Sequence, residues 1–110
     1  MSLIELWTRC IFKRDNNLCQ KCLSEGKITP AVDAHHIIHK DKGFLRYRIE
    51  NGVALCRACH DQDSQGHLRR WCVEWLGDRY YELKRLAHSL VGQPIDEAAV
   101  RKELKEYLNG

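Results

Sequence analysis

A chain of 110 residues, 44% apolar and 30% charged, has the composition of one soluble domain with a core small enough for a metal cross-link to add useful stability. It contains no run of about 18 apolar residues, which excludes a membrane-spanning helix. The formal charge of +3, from 18 basic and 15 acidic residues, is too slight to define a polyanion-binding protein.

The opening MSLIELWTRC has Glu5 and no basic region ahead of an apolar core, so it does not read as a secretory leader. A cytoplasmic, reducing setting is therefore expected, in which the six cysteines are metal ligands or buried thiols rather than disulfides. Leu3, Ile4, Trp7, Ile11 and Phe12 mark one face of a helix over Leu3 to Arg14, with Ser2 as its N-cap. RDNN is a polar turn. Next come the knuckle-like pair Cys19-x2-Cys22 and a Gly-Lys and Thr-Pro turn region. The β-branched run from Val32 to Ile38 predicts a short strand, Asp41 to Asn51 a basic loop, and Val53 to Leu55 a second strand. A helix begins near Arg57. Leu68, Trp71, Cys72, Trp75 and Leu76 form an apolar stripe that breaks at Gly77-Asp78, and Tyr80, Leu83, Leu86, Ala87 and Leu90 resume its period. A last helix runs from Ile95 to Leu108, capped by Asp96. Trp7, Trp71 and Trp75 read as core, and Cys10 and Cys72 as buried thiols on helical faces.

Two metal readings compete. Cys19-x2-Cys22 and Cys56-x2-Cys59 supply four thiolates, enough to close a tetrahedral, structural zinc site. Cys19-x2-Cys22-x12-His35-x3-His39 instead fits a zinc finger with two cysteine and two histidine ligands, a non-catalytic DNA-binding module. The finger needs a large apolar residue where the chain has Gly26, places β-branched HHII within a helix, and leaves Cys56 and Cys59 without a task. The four-cysteine reading is preferred. It leaves His35, His36 and His60 for another role, and a hairpin followed by a helix would bring them to one site. Lys40, Lys42, Arg46 and Arg48, against Asp41 alone, make either a solvated loop or one that faces phosphate.

The string DAHHI…ENGVALCRACH, with its two Cys-x2-Cys pairs, resembles the zinc-stapled branch of the HNH endonuclease family over about residues 14–64. That resemblance implies an α+β fold: a ββα-metal core with a structural zinc on four cysteines, flanked by an N-terminal helix and a helical extension over about residues 67–110, all within one domain. It implies metal-dependent hydrolysis of DNA phosphodiesters, leaving 5′-phosphate and 3′-hydroxyl ends. The motif letters fall on His36, Asn51 and His60. His36 then resembles the general base and Asn51 a group orienting it, although in some members the Asn position binds metal. His35 and His60 resemble ligands of one divalent cation, drawn from manganese, magnesium, nickel, cobalt or zinc. Members with a third protein ligand place it where this chain has Ser64, so water and phosphate are expected to complete the shell; Asp63 and His67 match no family position. Lys40, Lys42, Arg46, Arg48 and Arg57 are candidate DNA-backbone contacts, favouring low sequence specificity, and one site meeting one phosphate favours nicking by a monomer. Many compact members belong to phages or mobile elements. His39 and His88 carry no assigned role, and the flanking helices are expected to bury the tryptophans.

Overall fold

Helix α1 spans Leu3–Arg14, started by Ser2, whose hydroxyl accepts the Glu5 N–H at 3.2 Å. In this computed structural model, which describes residues 1–38, 43–61, 66–89 and 92–110 apart from the Phe44 side chain, the chain then reverses through Asn16 and Asn17 at φ 57° and 60°. Both sit in the left-handed region that asparagine tolerates. His39, Lys40, Asp41, Lys42, Asp63, Ser64 and Leu90 lie outside the described residues.

The first Cys pair lies on a short helix, α2 (Gln20–Ser24), which the sequence did not announce; Cys19 is its N-cap and its sulfur accepts the Cys22 N–H at 3.4 Å. Strands β1 (Asp33–His36) and β2 (Gly52–Leu55) pair antiparallel, with Asp33 opposite Leu55, His35 opposite Val53 and His36 opposite Gly52. The first strand is shorter than the expected Val32 to Ile38. Its ladder stops at His36 because the opposing chain before Gly52 is wound into a 3-10 turn over Ile49–Asn51. A second such turn, Gly43–Tyr47, occupies the stretch read as a plain basic loop.

Helix α3 covers only Arg57–His60, and α4 (His67–Leu76) begins afresh after Gly66 at φ 74°, a conformation no α-helix continues through. His67 therefore starts a different helix from the one carrying His60. Gly77 closes α4, α5 follows as Asp78–Ser89, and α6 spans Glu97–Asn109. The Asp96 carboxylate accepts the Ala99 N–H at 3.1 Å, which puts Ile95 outside the last helix. No described helix is long and apolar enough to cross a membrane.

The hairpin is packed on both faces. Val53 and Leu55 meet the four paired cysteines, Leu68 and Cys72 on one side. Ala54 meets Leu6, Trp7, Ile11 and Leu104 on the other, where α1 and α6 pack together. The end of α1 is also pinned to β2 by polar groups. Buried Asp15 accepts the Ala54 N–H at 2.9 Å, and Arg14 donates to the Ile49 and Gly52 carbonyls. Trp7 is fully buried, as expected, whereas Trp71 and Trp75 are half-buried and stacked on each other.

Candidate active site

The four paired cysteines converge. Their sulfurs all lie within 4.8 Å of one another, with Cys22 3.8 Å from Cys56 and 3.7 Å from Cys59. A tetrahedral thiolate site with metal–sulfur bonds of about 2.3 Å spaces its sulfurs about 3.8 Å apart, so the donor set fits such an ion closely. None is in a disulfide. Burial pushes the Cys19 thiol up, and burial together with hydrogen bonds to the other sulfurs pushes Cys59 up. Burial also opposes ionisation of Cys56, but the hydrogen bonds around it outweigh that and leave its thiol below the ordinary value. Four thiols this crowded suit a cation that takes the place of their protons. The finger reading fails here, since Cys19 and Cys22 meet two further thiols while His35 lies against His60.

Alternation along β1 sorts the neighbouring residues. Asp33 and His35 face the helix that carries His60. The His35 and His60 rings meet edge to face with centroids 5.3 Å apart. Two imidazoles bound to one cation at about 2.1 Å per nitrogen hold their centroids about 5 Å apart, so the pair fits a shared ion. Asp33 Oδ2 lies 3.2 Å from His60 Nδ1. A carboxylate there holds the proton on Nδ1 and turns the Nε2 lone pair outward, as in metal-binding histidines generally. Sequence reading missed this role, although Asp33 stands two places before His35, the strand's same-face spacing.

His36 points the other way, onto α1. Its ring stacks on Trp7 at 4.0 Å and 7°, and its Nε2–H donates to the Arg46 carbonyl at 2.9 Å. A carbonyl only accepts, so this contact places a proton on Nε2, and the ring in its neutral form carries its lone pair on Nδ1. Despite facing opposite sides, His35 and His36 line one open cavity of about 710 Å³ together with His60.

Asn51 is fully buried, and its amide contacts the hairpin loop rather than His36. It accepts the Ile38 N–H at 2.7 Å and donates to the Ile38 and Leu45 carbonyls at 3.1 and 3.0 Å. Asn51 is thus linked to His36 through the loop: its amide holds Ile38 and Leu45, and the neighbouring Arg46 carbonyl holds the ring.

Of the basic candidates, exposed Arg46 lines the cavity, Arg48 pairs with Glu50 at 2.8 Å, and Arg57 approaches Asp33 at 3.6 Å. Lys40 and Lys42 lie outside the described residues. Two cations the sequence reading did not single out, Arg69 of α4 and Lys84 of α5, complete the basic lining. Their separation from the histidines in sequence left no local signal.

A two-stranded hairpin running straight into a helix, stapled by four thiols and presenting imidazoles from strand and helix, is the ββα-metal architecture of a nuclease. The family model for HNH endonuclease matches residues 19–66. Among solved structures, the chain is similar to the HNH endonuclease of the deep-sea thermophilic bacteriophage GVE2, crystallised with manganese ion. The two are 35% identical with a TM-score of 0.52, over 64% of this chain and 78% of that one. No curated protein matches. The chain belongs to the HNH endonuclease family and is a nuclease.

Proposed function

We propose that the protein is a metal-dependent DNA endonuclease that nicks one strand per encounter with low sequence specificity. The observation that carries this reading is the meeting of His35, His36 and His60 with Arg46 in one cavity. His36 is the general base: Nδ1 takes a proton from water, whose oxygen attacks phosphorus as the bond to the 3′ oxygen breaks. The leaving 3′ oxygen takes a proton from solvent, so the products carry a 5′-phosphate and a 3′-hydroxyl. His35 and His60 hold a divalent cation, with water and phosphate filling its other positions. When bound, that ion offsets charge growing on the phosphate and the leaving oxygen. Two imidazoles suit manganese, nickel, cobalt or zinc better than magnesium. The four cysteines hold a structural zinc. Nicking is favoured because one chain offers one such cavity to one phosphate. Low specificity is favoured because the cations around it suit phosphates, which carry no base information.

Supercoiled plasmid incubated with each of these ions, beside a chelator control, tests the reading. Relaxed circles should appear before linear DNA. Linear product from the outset would overturn nicking. DNA binding without cleavage under every ion would restore the non-catalytic module.

Two further outcomes are expected. Asp33→Ala should weaken the apparent affinity for the catalytic ion by about 10–100-fold, measured by metal titration of cleavage, with kcat recovered at saturating metal. Replacing Arg69 and Lys84 by glutamine should flatten the dependence of log affinity for duplex DNA on log salt by about 1.8, or about 0.9 for each phosphate no longer neutralised. An unchanged slope would remove the C-terminal helices from the DNA path.

A further inference from the structure

We infer that Trp7 is a positioning residue for His36, so that α1, which precedes the segment matched by the family model, forms part of the catalytic apparatus. The inference rests on the proposed role of His36 as base. A histidine ring turns easily about its last side-chain torsion, which has a broad energy profile. The Arg46 carbonyl and the Trp7 indole both constrain it here. The Arg46 carbonyl sets the direction of the ring within its plane, and the Trp7 indole, parallel at 4.0 Å, sets the plane itself. The indole is in turn held fast: Trp7 is 1% exposed, and its Nε1–H donates to the Arg48 carbonyl at 2.9 Å. Both rings are thus tied to carbonyls two residues apart in the same turn of chain.

Gly52 makes room for this arrangement. It is the register partner of His36, and a Cβ built there would lie 2.5 Å from Ile11 Cδ1 and 2.6 Å from Trp7 Cζ2. Its φ of −132° is ordinary extended backbone, so glycine is required at this position for space rather than for torsion. The Asn-Gly of the motif therefore has two separate duties. Asn51 ties down the loop, and Gly52 admits the helix that brings the indole.

Core packing alone would also bury Trp7, and the experiment separates the two roles. Trp7→Leu keeps an apolar side chain but removes the flat ring; Trp7→Phe keeps a ring and removes the indole N–H. Steady-state cleavage, zinc content and 15N NMR of the His36 imidazole are measured for both. Trp7→Leu should lower kcat about tenfold or more at nearly constant KM, since misplacing a catalytic group by an ångström can cost about 10²-fold. Its His36 should exchange between tautomers, where wild type shows one. Trp7→Phe should recover kcat to within about threefold and keep the single Nε2–H tautomer. A folded, zinc-loaded Trp7→Leu protein with wild-type kcat would overturn the inference. So would a Trp7→Phe protein whose His36 tautomer is no longer fixed, a result obtainable even if the leucine variant fails to fold. Full activity of His36→Ala would instead defeat the proposed mechanism, while the NMR result would still report on the seat.

Discussion

His36→Ala is expected to lower kcat for plasmid nicking by about 10²–10⁴-fold, the usual contribution of a positioned general base, while the protein keeps its zinc. Among the interactions this change removes are the ring stack on Trp7 and the hydrogen bond to the Arg46 carbonyl, each worth about 1 kcal/mol, against the roughly 5–15 kcal/mol typical of a domain. A folded but inactive protein is thus the expected product, shown by cooperative thermal unfolding and unchanged zinc content. DNA affinity should survive, because the cations lining the cavity remain. Cleavage at the wild-type rate would take His36 out of the chemistry.

Serine at Cys56 and Cys59 together should abolish the folded state rather than the chemistry. Structural zinc contributes about 10–16 kcal/mol of apparent binding free energy in small peptides, which matches or exceeds the whole stability of an ordinary domain. Val53 and Leu55 pack in one cluster with the four cysteines, so loss of an ion held there would open one face of β2 to water. Zinc content should fall from one per chain to none, and the cooperative melting transition should disappear. Cys10→Ala is the control: a buried thiol on the other side of the hairpin, whose replacement should leave zinc in place. A double serine variant that melted like wild type would show that the thiols do not hold the fold.

What could be read from the sequence is what depends on short spacings. Ser2 and Asp96 cap their helices as expected because capping is decided within three residues. The Cys-x2-Cys pairs signal themselves because two ligands on one turn need that interval. Where Asn51 points was not legible, because it depends on the path of the chain between Ile38 and Asn51, which no periodicity encodes. Trp7 read correctly as core but not as a neighbour of His36, since a contact across 29 positions depends on how α1 lies on the sheet. The interruption between α3 and α4 was likewise hidden; Gly66 is tolerable in a helix until its φ of 74° is known.

The alternation of β1 gives each of its positions a functional address. Odd positions, Asp33 and His35, face His60 and the proposed cation site; even ones, Ala34 and His36, face α1. Parity in four residues thus separates two kinds of chemistry that adjacency in the chain would merge. A one-residue deletion within the strand would do more than shorten it. It would exchange the tenants of the two faces, turning an imidazole that stacks on the indole toward His60. Substitutions can vary freely along such a strand only within their own parity, so the paired histidines are adjacent in the chain but not interchangeable in use.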